Sequence, residues 1–162
     1  MLFRSIAAAA EVTRGALYHH FADKAALFRA VIEGEAAAVA EQIERETVEA
    51  PSALQALLTG ADAYFAAMAK TGRTRLLLLE GPAVLGRPAI DEIEKEAGAR
   101  ELREGLAAAI ASGEMRPVPL DALTAVLSAA FDAAALAIAS GKPADDHRAA
   151  LKALIEGLLR KA

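Results

Sequence analysis

The sequence predicts an all-α protein, and three observations carry that prediction. Alanine accounts for 43 of 162 residues, and alanine and leucine lose least on entering a helix. Aromatic residues number only seven, and β-branched residues gather only in short runs. Apolar residues recur at three- and four-residue spacing between turn and breaker residues. The length suits one domain, or one with a small appendage. The absence of cysteine excludes a disulfide framework, a thiol nucleophile and a thiolate metal site, and fits a reducing cytoplasmic setting.

Two short helices are expected first, about Phe3 to Ala10 and Thr13 to Phe21, the second capped by Thr13 and joined to the first by Glu11 and Val12 alone. Asp23 caps a long helix in which Leu27, Phe28, Val31, Ile32, Val39 and Ile43 keep helical spacing until Pro51. The next, opened by Pro51 and Ser52, carries Leu54, Leu57, Leu58, Tyr64, Phe65 and Met68 and stops at Gly72. A short apolar helix is expected at Arg73 to Glu80, then a connection broken by Gly81-Pro82 and Gly86-x-Pro88. An amphipathic helix runs from Pro88 to about Ser112, with a kink expected at Gly98. Asp121 lies in the first turn of a nearly all-apolar helix reaching Ser140, and Ala144 to about Lys161 forms the last, with Arg160 and Lys161 suited to its C-terminal dipole.

No uncharged stretch exceeds the twelve residues from Ala50 to Ala61, short of the ~18 apolar residues expected of a spanning helix, so no membrane partner is expected. Net charge is −4, yet residues 1–30 hold four basic and two acidic side chains, leaving −6 for the remainder. Any nucleic-acid contact therefore belongs to the first thirty residues. There, two short helices across a tight turn meet the requirement for a helix-turn-helix: Ile6 and Ala10 face Leu17 and Phe21, and Val12 fills the corner. The first turn of the second helix, Thr13, Arg14, Gly15 and Ala16, would meet a major groove, and the two small residues permit close approach.

This segment, IAAAAEVTRGALYHHFADKAAL from Ile6 to Leu27, closely resembles the helix-turn-helix of the tetracycline-repressor (TetR) family of bacterial transcription regulators. The later helices, LLLLEGPAVLGRPAIDEIE above all, are similar to that family's ligand-binding and dimerisation bundle. The resemblance implies a DNA-binding region over residues 1–47, including the connecting helix, and a ligand-binding and dimerisation domain over 48–162. Carried over by position, it assigns DNA contact to Thr13, Arg14, Gly15, Ala16, Tyr18 and His19, with Lys24 as a phosphate clamp. Glu11 stands where the family usually has a turn glycine, and the family's first helix would precede Met1. The implied partners are palindromic double-stranded DNA, a small-molecule effector and a second copy of the chain. The alternative, from another class, is a dimeric small-molecule-binding helical module that does not bind DNA for want of that first helix.

The expected effector is hydrophobic or aromatic, lined by Tyr64, Phe65, Met68, Leu77, Leu78, Leu85 and Phe131, with Arg75, Glu80 or Asp132 as its polar end. The expected dimer face comprises Leu123, Leu127, Ala130, Ala134, Leu151, Leu154, Ile155 and Leu158 on the last two helices, where small residues allow close approach. No enzyme is expected: there is no G-x-S-x-G elbow or phosphate loop, and the carboxylates from Asp91 to Glu104 alternate with basic residues on one exposed face. No cofactor or metal is implied, since His19 and His20 are adjacent on a helix and point apart.

Overall fold

A computed structural model of the chain describes residues 21–159. Its elements are α1 (Lys24–Thr47), α2 (Ala53–Met68), α3 (Arg73–Arg75), a π-helical turn π1 (Leu76–Glu80), α4 (Gly81–Leu85), α5 (Arg87–Glu96), α6 (Gly98–Ala111), α7 (Leu120–Ala139) and α8 (Ala144–Glu156). The described residues contain no strand, only an isolated antiparallel bridge between Met115 and Leu159. The all-α expectation holds. The two helices expected before Asp23 lie outside the described residues, apart from Phe21, which is not helical.

Helix starts follow local chemistry. The Asp23 carboxylate accepts from the Ala26 N–H at 2.8 Å, and the Ser52 hydroxyl accepts from the Gln55 N–H at 3.1 Å. Pro51 therefore precedes the cap of α2 instead of standing in its first turn. Two further orphan donors of α2, Ala53 and Leu54, are satisfied from a distance by the Glu114 carboxylate on the α6–α7 link, at 3.3 and 3.2 Å.

Three expected boundaries change. Gly81-Pro82 does not end the helix after Glu80, because the turn widens to π geometry and Gly81 donates to the Leu76 carbonyl five residues back. Pro82 has no N–H and its ring would crowd a regular α-helical turn, so the helix resumes with Pro82 in the opening turn of α4. It stops at Gly86, whose φ of +82° suits glycine. The expected helix from Pro88 to Ser112 is two helices, broken at Ala97 (φ −127°, ψ −122°) beside Gly98. Finally, α8 ends at Glu156, and the Leu158 carbonyl accepts from the Arg116 N–H at 3.1 Å. Arg160 and Lys161 thus follow the helix end and lie outside the described residues.

Packing divides into two apolar clusters. The larger gathers Val39 and Ile43 from α1, Leu57, Phe65 and Met68 from α2, Leu106 from α6, Leu127 and Phe131 from α7, and Leu151 and Ile155 from α8. The smaller joins Ile32 of α1 to Ile90 and Ile93 of α5, with Phe28, Leu76 and Leu85 at its margin. By length and composition α7, of mean hydropathy 1.9, could cross a membrane, but it packs against α3, α6 and α8 and carries Asp132 on its inner side.

A buried cation fastens α1 to the corner between α2 and α3. Arg73 Nε donates to Glu35 Oε2 at 2.6 Å and its Nη1 donates to the Ala67 carbonyl at 2.8 Å, while Lys70 Nζ donates to Glu35 Oε1 at 2.9 Å. The Thr74 hydroxyl closes the corner on the Met68 carbonyl at 2.9 Å. Hydrogen bonds from Lys70 and Arg73 hold the Glu35 carboxyl below its ordinary value of 4.5, so its contribution is present above that pH and lost as pH falls through the depressed value. Glu35→Gln is expected to lower the unfolding free energy at pH 7 by about 1.5–3 kcal/mol. In urea titrations the deficit against wild type should shrink below pH 4.5; a constant deficit would contradict the assignment.

Candidate functional site

A cavity of about 360 Å³ lies between α1, α2, the π1 turn, α5, α6 and α7. Its walls follow from helical spacing. On α1, Ile32, Ala36, Val39, Ile43 and Thr47 form one stripe; on α2, Leu57, Gly60, Ala61, Tyr64 and Met68 form another. Small residues let these walls come together: a Cβ on Gly105 of α6 would stand 2.8 Å from Leu57 Cδ2.

The charged part of the lining is acidic. The Tyr64 hydroxyl donates to Asp132 Oδ1 at 2.8 Å, joining α2 to α7 across the cavity wall. The Tyr64 and Phe131 rings meet edge to face with centroids 5.4 Å apart. Glu94 of α5 also lines the cavity, and its Oε2 lies 3.4 Å from Nη2 of the exposed Arg87, which makes a shorter bond of 2.8 Å to Asp91. Burial raises the Asp132 carboxyl above its ordinary value, with the Tyr64 hydrogen bond and Arg87 opposing. Burial, then the charge of Asp132, raises Glu94. Tyr64 is raised as well, first by burial and then by Asp132.

Of the seven residues expected to line a ligand site, Tyr64, Met68, Leu77, Leu78 and Phe131 face this cavity and two do not. Phe65, one residue and about 100° around the helix from Tyr64, turns into the core. There its ring meets Phe131, and the Arg148 guanidinium lies 5.7 Å from its centroid. Leu85 packs on Ile32, Ile90 and Ile93. Of the three candidate polar ends, Asp132 alone lines the cavity; Arg75 and Glu80 pair with each other at 2.8 Å on the surface. The α1 stripe and Glu94 were not anticipated as lining, although the spacing from Ile32 to Thr47 marks one helix face.

Among the residues expected at a dimer face, Leu127, Ala134, Leu151 and Ile155 are buried within the protomer, and Leu123, Ala130 and Leu158 pack partly against its core. Leu154 is 55% exposed. The outward apolar surface of these helices instead runs through Ala122, Ala125, Val126, Ala129 and Ala133 on α7 and Ala150, Ala153 and Leu154 on α8. Lys24 is an exposed residue in the first turn of α1. Thr13, Arg14, Gly15, Ala16, Tyr18 and His19 lie outside the described residues.

The profile described as "Tetracyclin repressor-like, C-terminal domain" matches residues 54–161, and that described as "Bacterial regulatory proteins, tetR family" matches residues 2–31. The chain belongs to the TetR family. Solved structures agree. A TetR-family transcriptional regulator from Pectobacterium atrosepticum superposes with a TM-score of 0.75 at 28% identity, over 96% of this chain and 81% of that one. A protein of unknown function from Rhodococcus sp. RHA1 gives 0.74 at 25%, over 98% and 84%. A candidate tetR-family regulator from Shewanella sp. PV-4 gives 0.73 at 18%, over 99% and 87%, and shares the fold. Comparison with curated proteins gave no match. In this TetR-family chain the helix that begins within the N-terminal family match, α1, is also a wall of the cavity.

The buried Asp132 carboxylate has a direct consequence for stability. Its folded-state value is raised, so the cost of ionising it is absent below its ordinary value of 3.8 and complete once pH exceeds the raised value. Asp132→Asn keeps an acceptor for Tyr64 and removes that cost. Thermal denaturation should show the variant melting a few degrees above wild type at pH 8, with the gain vanishing near pH 3.8; a lower melting temperature at pH 8 would contradict this reading.

Proposed function

We propose that the protein is a dimeric transcriptional repressor, not an enzyme, whose hold on a palindromic operator is released when a small hydrophobic or aromatic effector enters the cavity between α1 and α5–α7. The observation that carries this reading is the α1 stripe. Ile32, Ala36, Val39, Ile43 and Thr47 wall the cavity, while the same helix begins at Lys24, directly after the segment that resembles a recognition helix. An occupant in contact with that stripe displaces a helix that follows the proposed DNA-reading segment in the chain, so binding energy is converted into a change of its position.

Division of labour follows the same line: residues 1–47 read DNA and residues 48–162 bind effector and partner. Thr13, Arg14, Gly15, Ala16, Tyr18 and His19 supply the groove contacts, and Lys24 holds a phosphate. A two-fold dimer is needed to set two recognition helices about 34–36 Å apart. Its proposed face is the outward surface of α7 and α8. Val126, 67% exposed, and Leu154 are large apolar side chains there, separated by alanines that let a second copy approach closely. No cofactor takes part, and the site of action is the cytoplasm.

The double substitution Val126→Glu with Leu154→Glu tests assembly and DNA binding together. Neither side chain supports the protomer core, so the helical circular-dichroism signal should be retained. We expect sedimentation to show the mass of one chain where wild type shows two. In mobility-shift titrations, affinity for DNA from upstream of the protein's own gene should fall by about 100-fold or more, because two half-site contacts no longer act together. Retained dimerisation would refute the proposed face, and absence of binding by wild type to that DNA would refute the repressor reading.

A further inference from the structure

The cavity described above has a chemical polarity that specifies its occupant further. Among the described lining residues there are four carboxylates, Glu94, Glu101, Glu104 and Asp132, and no lysine, arginine or histidine. Two of the four are answered or face outward: Glu101 pairs with Arg100 at 2.8 Å, and Glu104 is exposed. Asp132 is different. Its hydrogen-bond partner is the neutral Tyr64 hydroxyl, and it forms no salt bridge with any described residue, Arg87 acting on it only from beyond contact distance. Glu94, which also lines the cavity, has only the long 3.4 Å contact to the exposed Arg87.

An ionised carboxylate facing apolar walls without a cation in contact is unfavourable, and an asparagine at position 132 could accept the same Tyr64 hydrogen bond without that cost. The charge becomes favourable when the missing positive partner arrives with the ligand. The aromatic rings point to the same conclusion independently. Tyr64 and Phe131 line the cavity beside Asp132 with their centroids 5.4 Å apart, and a ring face within about 6 Å of a cation attracts it. The rest of the wall, from Ile32 to Leu102, is suited to an apolar body.

We propose that the effector is an amphiphilic organic cation, an ammonium or similar head carried on an aliphatic or aromatic body, with the head held by Asp132 and Glu94 beside the Tyr64 and Phe131 rings. The proposal rests on the cavity being the effector site. The carboxylates recognise the charge, and the α1 and α2 stripes recognise the body. A fatty acid or other anion of equal length is excluded by the same charges.

Three probes of one chain length separate the parts of this claim: decyltrimethylammonium, decanol and decanoate, each titrated into the full chain by calorimetry. The cation should bind one per protomer, about tenfold or more tighter than either comparator. The double variant Asp132→Asn, Glu94→Gln, checked for a cooperative thermal transition, should lose about tenfold or more in cation affinity while its affinity for decanol stays within about twofold. Decanol or decanoate binding as tightly as the cation, or cation affinity unchanged in the double variant, overturns the charge assignment and leaves the cavity as effector site. If none of the three binds, the assignment of the cavity as effector site falls with it.

Discussion

The packing of α1 along α2 is the contact on which the rest of the structure depends. One face of α1 must do two things along its length: bury Val39 and Ile43 in the main core, and bury Ile32 against Ile90 and Ile93 of α5. Both attachments border a gap that neither cluster fills, and the gap is the cavity. The Glu35–Arg73 pair, with Arg73 buried, fixes α1 to the α2–α3 corner. Core burial, ion pairing and cavity shape are thus consequences of where one helix lies. Because interiors respond to volume at the scale of a methylene group, an occupant larger than the cavity must shift the helices that wall it, α1 among them.

The acidic wall shows how stability and binding compete in the same residues. Leucine or asparagine would suit the surroundings of Asp132 better than a carboxylate raised by burial, and the hydrogen bond to Tyr64 does not remove the charge. A residue that weakens the empty protein and answers a ligand's charge is a common compromise at binding sites. The raised Glu94 carboxyl, influenced by Asp132, belongs to the same arrangement. Under the proposed function these two side chains connect the energetics of the fold to the choice of ligand.

Much of the architecture was legible because local chemistry decided it. Asp23 and Ser52 cap helices as their residue types imply, and the apolar spacing along α1 and α7 marks those elements before any tertiary contact is considered. Gly81-Pro82 was misleading because a π turn can carry a chain past a proline that would end an ordinary helix. The Ala97 break has no comparable cue beyond Gly98 next to it. The candidate site was half legible: Tyr64, Met68, Leu77, Leu78 and Phe131 were recognisable as apolar and helical, but their neighbours Phe65 and Leu85 have the same character and point elsewhere. Periodicity likewise could not separate the two apolar sides of α7. Leu127 and Ala134 face the protomer's own core, whereas Val126 and Ala133 face outward, one residue apart in each case.

The central claim is that filling the cavity moves α1. The chain has no cysteine, so Ala25→Cys, at an exposed position in the first turn of α1, gives one spin-label site per protomer without further substitution. The label-to-label distance across the proposed dimer, measured by pulsed electron resonance with and without saturating decyltrimethylammonium, reads the position of α1 directly. The account predicts a shift of roughly 2 Å or more in the distance distribution on ligand addition. Superimposable distributions from a protein that calorimetry shows to be loaded would contradict it.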